Sequence, residues 1–267
     1  MNVTQYSGKS IANTDRVPSP SIWADCPALE IEAGIKDGIH IYNDFGNGPL
    51  VAAGAEADYA GCRGFASTGG SVADGGEWGG TLVMSSDGDD EGAGLRTGCA
   101  PFQIDIGQGK FWFEARVKTS TIADTKHGIF LGLTEAAAIT ATSPIAADGT
   151  LADINFVGFH RLEGDGDYFD TVYKANTVTK VTVASDAVLI VADTYIKLGM
   201  VFDPKTNVLT FYKNGVPLAD SKTIPAADGT DFPNDVRLGV LMSVLNATAS
   251  TPGSSEIDWW RAAQLAA

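Results

Sequence analysis

The sequence predicts an all-β protein, an antiparallel β-sandwich of the jelly-roll type with an extended N-terminal arm. Three observations carry this prediction: strand-like segments recur along the chain, turn signals separate them about every ten residues, and no long amphipathic helix interrupts them. The chain has 267 residues, of which 44% are hydrophobic. This length and composition suffice for one large β domain or two small ones.

The N-terminal residues 1–37 are polar and contain the proline-bearing stretch RVPSPS. We predict that they form an arm without a core of its own. Ile22, Trp23 and Leu29 are the apolar side chains that would anchor this arm on a partner protein. The sandwich is then expected to occupy residues 38–267.

The first part of the sandwich, residues 38–108, mixes short apolar runs with glycine-rich stretches. The runs GIHIYNDF at 38–45 and GTLVMSS at 80–86 are examples. This composition predicts short strands joined by irregular loops.

From residue 110 onward the strand pattern is regular. In KFWFEARVKTS every second residue from Phe111 to Val117 is apolar, so we expect one face in the core and a wetter opposite face. Apolar strands are predicted at 127–135 (HGIFLGLTE) and 154–161 (INFVGFHR), and TYIKLGMVFD at 194–203 alternates again.

The segment that follows predicts a turn and a hairpin. PKTN at 204–207 is a turn, and the strand VLTFYKNGV ends in Asn214 and Gly215. Both residues tolerate a positive φ, which a two-residue type I′ hairpin requires.

Charge excludes some partners. The chain carries 18 Lys and Arg against 33 Asp and Glu, a formal net charge of −15. Binding to nucleic acid or to an anionic membrane surface is therefore not expected. The N-terminus is too polar for a signal-peptide core, and no apolar run approaches the roughly 20 residues that span a bilayer. Cys26, Cys62 and Cys99 lack zinc-ligand spacing, so we expect free thiols.

One motif near the C-terminus raises the question of catalysis. In EIDWW, Glu256 and Asp258 resemble the start of the E-x-D-x-E signature of laminarinase-type glucanases. A retaining glucanase needs two carboxyl groups about 5–5.5 Å apart, and alternate residues of a strand share a face. Trp260 stands at the third position of the triplet, so we predict no catalytic residues. The strand should carry Ile257 and Trp259 on one face and Trp260 on the other.

Several acidic stretches and histidines invite a metal-site interpretation that we do not adopt. DGDDEG at 87–92 resembles the start of an EF-hand loop but lacks the closing bidentate glutamate. EGDGDYFD at 163–170 is interpreted as a solvated hairpin tip. His40, His127 and His160 are dispersed in the sequence and are interpreted as structural. We therefore predict no metal and no cofactor.

A family resemblance becomes specific at this point. TYIKLGMVFDPKTNVLTFYKNGVPL resembles the paired strands of concanavalin-like and laminin-G-like jelly rolls. The order of FWFEARVK, IFLGLTE, VGFHR, FYKNGV and EIDWWRAAQL is similar to that of tailed-bacteriophage structural proteins with this fold, over residues 39–265. The resemblance implies a virion protein, made in the host cytoplasm, that decorates or cements the outer capsid surface. Its partner would be the major capsid protein, and we expect a homo-oligomer, a trimer or dimer.

The alternative is a lectin-like module of a phage tail or capsid that binds a host glycan. Trp78, Trp112, Tyr168 and Trp260 are the aromatic residues that would stack on sugar rings. The fold alone does not decide between the two roles, because it hosts structural proteins, lectins and glycanases.

Overall fold

The computed structural model describes residues 15–46, 48–59, 61–77, 79–122, 128–135, 144–146, 150–162, 164–224, 230–246 and 253–267. These residues form two short helices, α1 (Pro20–Trp23) and α2 (Ala28–Glu32), and sixteen strands. The strands are β1 (Gly38–Asn43), β2 (Glu56–Tyr59), β3 (Cys62–Ala66), β4 (Gly70–Asp74), β5 (Leu82–Ser86), β6 (Glu91–Thr97), β7 (Phe111–Thr119), β8 (Gly128–Glu135), β9 (Phe156–Arg161), β10 (Tyr168–Lys174), β11 (Val181–Leu189), β12 (Ile196–Asp203), β13 (Val208–Lys213), β14 (Val216–Thr223), β15 (Leu238–Asn246) and β16 (Gly253–Leu265).

The strands build two antiparallel sheets of eight strands each. The first sheet has the order β14-β13-β12-β7-β16-β5-β4, and β1 pairs with β16 beside β5. The second sheet has the order β11-β10-β9-β8-β15-β6-β3-β2. The predicted all-β, two-sheet antiparallel sandwich is confirmed.

The main core lies between the two sheets. It takes alternate side chains of β7 and β12, including Phe111, Phe113, Leu198 and Phe202, as the period-two pattern predicts. Phe159 of the second sheet meets Phe211 of the first edge to face, with ring centroids 5.3 Å apart. Burial of these apolar side chains on both inner faces holds the sheets together.

The hairpin between β13 and β14 is the predicted one. Lys213 pairs with Val216, so Asn214 and Gly215 are the whole turn. Their φ values of 51° and 78° are both positive, as a type I′ turn requires. The tolerance of asparagine and glycine for this conformation fixes the register of the two strands.

The second face of β7 corrects the sequence interpretation. Trp112 and Glu114 are 1% and 0% exposed, although alternation predicts a wetter face there. The reason is that residues 15–37 lie on this outer face of the first sheet, with α1 against β7 and β12 and α2 against β1. A covered sheet face buries its polar and apolar positions alike.

These same residues were predicted to form an extended arm with apolar anchors for a partner protein. Ile22 and Trp23 are instead buried in a small cluster with Trp112 and Val201 of the chain's own first sheet. Their interpretation as partner anchors is therefore wrong, because intramolecular packing already removes them from water. Leu29 is 73% exposed, and residues 1–14 lie outside the described part of the chain.

The space between the two sheets leaves little room for a ligand. A cavity of about 10 Å³ between the sheets, lined by Val117 and Met242 among others, has room for about one water molecule at most.

All three cysteines lie in the described part of the chain and are free. None of the described helices has the length and apolar character needed to cross a membrane.

Trp260 tests the packing of this core. Its ring meets Phe45 edge to face at 5.1 Å and is fully buried. Trp260→Ala is expected to lower the free energy of unfolding by about 3–5 kcal/mol, because it leaves a cavity. Leu29→Ala, on the surface, should change it by less than about 0.5 kcal/mol. Urea unfolding of both variants measures the difference, and equal losses would contradict this packing.

Candidate functional site

The strand β16 carries the carboxylates that raised the question of catalysis. A β-bulge between Ile257 and Trp259 shifts its register against β7. Because a bulge adds one residue to one strand, the inward and outward positions exchange beyond it. Ile257 and Trp260 therefore both point into the core, while the indole N–H of Trp259 donates to the Arg16 carbonyl at 2.5 Å on the outer side. The predicted grouping of Ile257 with Trp259 is wrong, and the bulge is the reason.

Asp258, at the bulge, is the centre of a buried ion cluster with Arg16 and Arg116, called here the Asp258 cluster. Arg16 Nε donates to both carboxylate oxygens, at 2.8 and 2.9 Å. Arg116 Nη1 donates to Asp258 Oδ2 at 2.7 Å. The Asp258 side chain is 0% exposed and the two arginines only 8% and 11%. The carboxylate is thus fully engaged by two guanidinium groups.

Glu256 is held in a similar way. The hydroxyl of Tyr195 donates to Glu256 Oε1 at 2.5 Å, and Lys118 Nζ lies 3.0 Å from Oε2. Burial, and then the hydrogen bond to Glu256, raise the pKa of Tyr195. The guanidinium of Arg116 stacks over the Tyr195 ring, 3.7 Å from its centroid. Both carboxylates of the motif are thus engaged by contacts within the chain.

The N-terminal segment closes over this face through further polar contacts. Glu114 Oε2 accepts hydrogen bonds from the Ser19 backbone N–H and the Trp23 indole N–H, each at 2.8 Å. The guanidinium of Arg261 stacks on Trp23, 4.1 Å from the ring centroid. Asp25 accepts from the indole N–H of Trp112 at 3.0 Å. The N-terminal segment thus packs on this face of the first sheet through hydrogen bonds and ring stacking.

A second polar group lies on the outer face of the second sheet, where β9 and β10 form a hairpin. His160 and Asp170 are directly opposed across the two strands, and Asp165 comes from the turn between them. One ligand atom from each of the three lies within 4.8 Å of the others. Among the described residues this is the group that could hold a metal ion. We call these three residues the His160 cluster.

The electrostatics of the His160 cluster are set by burial and by Lys180. Burial first, and then the charge of Lys180, lower the pKa of His160 to about 3, so its ring is neutral at neutral pH. Burial raises the pKa of Asp170, and the negative charge of Asp165 acts in the same direction. Lys180 Nζ lies 3.1 Å from His160 Nε2. The cluster thus combines a neutral imidazole with two carboxylates and one ammonium.

Tyr168 stands next to this cluster, two residues before Asp170 on the same face of β10. It is partly exposed, and its directly opposed neighbour Leu189 of β11 is 45% exposed. An aromatic ring and an aliphatic side chain therefore adjoin the charged groups at the sheet surface.

The other predicted stacking residues have different positions. Trp112 and Trp260 are 1% and 0% exposed, so their interpretation as sugar-stacking residues is wrong: the N-terminal segment covers one and the core encloses the other. Trp78 lies outside the described residues. Tyr168 is the predicted stacking residue that the structure shows at the surface.

The His160 cluster itself was missed at the sequence level. His160 was interpreted as structural and residues 163–170 as a solvated tip, because the two were considered separately. The sequence does contain a signal: His160 and Asp170 are equidistant from Asp165, so a hairpin turning at Asp165 opposes them.

Comparisons with known proteins agree with the fold. No family model matches the chain, and no curated protein sequence matches it. Among solved structures, an endo-acting O-glycanase structure of the human gut microbiota is similar with a TM-score of 0.55 and 12% identity, over 84% of this chain and 98% of that chain. Peanut lectin is similar with a TM-score of 0.53 and 12% identity, over 85% and 97%. The potassium-bound carbohydrate recognition domain of Emp46p is similar with a TM-score of 0.50 and 14% identity, over 73% and 88%.

These likenesses show that the chain has the concanavalin A-like fold shared by lectins and glycanases. At identities of 12–14% they show the fold alone. Which role this chain has depends on its own residues.

Asp258→Asn tests the ion cluster. The change leaves Arg16 and Arg116 buried without a countercharge, and removing one partner of a buried pair typically costs about 3–5 kcal/mol. A matched control is Asp58→Asn, because Asp58 pairs with Arg63 at the surface. Thermal unfolding should show a large loss for the first variant and little change for the second. Equal effects would mean that the cluster does not hold the N-terminal segment.

Proposed function

We propose that this chain is a lectin-like carbohydrate-binding module whose glycan lies on the outer face of the second sheet, at the β9–β10 hairpin. The observation that carries the proposal is the surface position of Tyr168 beside Asp165 and Asp170. On the outer face of the first sheet, Asp258 is already bound by Arg16 of the chain's own N-terminal segment, and Glu256 is held by Tyr195 and Lys118.

The chemistry of the hairpin suits a sugar. A pyranose ring presents an apolar C–H face and a rim of hydroxyl groups. The ring of Tyr168 and the side chain of Leu189 offer an apolar surface for the C–H face. Asp165, with its side chain 38% exposed, can accept hydrogen bonds from hydroxyl groups. Binding sites commonly combine an apolar surface with a few placed polar groups.

The fold supports the same proposal. One similar structure is a carbohydrate recognition domain and another is peanut lectin. The mode of binding here rests on the hairpin residues of this chain.

A structural role in a bacteriophage capsid is a second candidate. The observation that favours it is the exposed apolar surface of the N-terminal segment, where Leu29 and Ile35 are 73% and 75% exposed. Such side chains suit a protein partner, the major capsid protein in this hypothesis, better than a sugar. The protein would then sit on the outer capsid surface as a dimer or trimer. Copy number in purified virions distinguishes the roles, since a shell component is present in hundreds of copies per particle.

Tyr168→Ala tests the glycan proposal. We expect binding to an oligosaccharide found on a glycan array to weaken at least about tenfold, since about 1.4 kcal/mol of lost contact corresponds to that factor. Tyr168→Phe, which keeps the ring, should retain binding within a few fold. Tyr59→Ala is the matched control, because Tyr59 is 45% exposed on β2 at the far edge of the sheet.

Two results would contradict the proposal. One is the absence of any bound glycan on a broad array. The other is binding that Tyr168→Ala leaves unchanged. Titration calorimetry with the same oligosaccharide measures the affinity of each variant. An unfolding temperature equal to that of the wild type shows that a variant is folded, so that a change in its affinity reflects the binding site.

The module is proposed to bind glycan without cleaving it. Glu256 is held by Tyr195 and Lys118, so the chain lacks a free acid and nucleophile pair at this motif. We expect no release of reducing sugar from β-glucans or from host polysaccharide, measured beside a glucanase as positive control. Release that Glu256→Gln abolishes would overturn this expectation.

A further inference from the structure

The imidazole of His160 is buried, and one of its two ring nitrogens makes no hydrogen bond within the described residues. Its side chain is 1% exposed. Lys180 Nζ lies 3.1 Å from Nε2, and since an ammonium group only donates, Nε2 accepts and the ring proton resides on Nδ1. Within the described residues Nδ1 has no hydrogen-bond partner. A buried polar atom without a partner is costly unless something else fills the site.

Two carboxylates also lie near this ring. Asp165 Oδ2 lies 3.6 Å from Nδ1, too far for a hydrogen bond. Asp170 Oδ2 lies 3.9 Å from Nε2. Ligand atoms about 2.0–2.2 Å from a Zn²⁺ ion stand about 3.4 Å apart in a tetrahedral site. One ligand atom from each of the three residues lies within 4.8 Å of the others. A metal held on Nδ1 would therefore need a small rotation of Asp165 and a larger one of Asp170, whose Oδ2 now lies beside the other ring nitrogen.

We infer that His160 Nδ1, Asp165 and Asp170 form a site for a divalent transition-metal ion, with Zn²⁺ as the best fit. A neutral imidazole with two carboxylates is a donor set that suits zinc better than calcium or magnesium, which prefer oxygen ligands only. Two carboxylates balance the charge of one divalent ion. A fourth position stays open to solvent on the side of Asp165.

The hairpin backbone positions the ligand that comes from the turn. Gly164 and Gly166 flank Asp165 with φ values of 96° and 69°, a conformation that favours glycine. The Leu162 backbone N–H donates to Asp165 Oδ2 at 2.8 Å. The turn thus directs the Asp165 carboxylate back toward His160.

The ammonium group of Lys180 competes with a metal ion for the imidazole of His160. When a metal binds Nδ1, the ring proton moves to Nε2, which can then no longer accept from the ammonium group. Lys180 must turn away, and its charge no longer lies beside the cation. Removing the ammonium should therefore tighten metal binding, whereas removing a carboxylate should weaken it.

The experiment uses the full chain without an affinity tag, treated with a chelator and titrated with Zn²⁺ by calorimetry. Co²⁺ in its place reports ligand geometry through its visible absorption. We expect one ion per chain. Asp165→Asn and Asp170→Asn should each weaken binding by at least about tenfold, because loss of even an indirect partner of a metal ligand costs that much. Lys180→Met should bind more tightly than the wild type.

Asp167→Asn is the matched control, because Asp167 lies on the same hairpin outside the cluster. Its affinity should equal that of the wild type. Absence of Zn²⁺ binding, or binding that both ligand substitutions leave unchanged, would overturn the inference. Asp165 lies at the surface, so its substitution tests the site even if Asp170→Asn fails to fold. No sugar enters the measurement, so its outcome is independent of the glycan proposal.

Discussion

The contact between Asp258 and its two arginines is the constraint on which the rest of the structure depends. A fully buried carboxylate is stable here only because Arg16 and Arg116 both donate to it. Arg16 belongs to the N-terminal segment and Arg116 to β7, so this one carboxylate joins the segment to the first sheet. The bulge at Asp258 and the burial of Trp259 beneath the Arg16 carbonyl belong to the same arrangement.

These contacts bear on which outer face of the sandwich is open to a ligand. The carboxylates of the glucanase-like motif, on the outer face of the first sheet, are held by contacts within the chain. The outer face of the second sheet carries the β9–β10 hairpin, where Tyr168 is partly exposed and His160 faces two carboxylates. Tyr168 and the His160 cluster thus lie on the opposite sheet from the glucanase-like motif.

Much of the fold could be predicted from local sequence. The inward-facing positions of β7 and β12 and the Asn214-Gly215 turn depend on neighbours along the chain, and the structure confirms them. The orientation of Trp260 could not be predicted, because it follows from a bulge that is visible only in the pairing of β16 with β7. Burial of the N-terminal segment depends likewise on contacts distant in sequence, such as those of Ser19 and Trp23 with Glu114 of β7. The His160 cluster could have been predicted only from the register of the β9–β10 hairpin, which the sequence analysis did not assign.

The most direct test of this account is hydrogen–deuterium exchange of the full chain with and without a bound oligosaccharide. The account predicts that ligand slows exchange in the hairpin, at residues 162–170, and in the neighbouring end of β11. Peptides that cover the N-terminal segment and residues 254–261 should exchange at the same rate in both states. Slower exchange at residues 254–261, or release of the N-terminal segment when the sugar binds, would place the site on the first sheet and contradict the account.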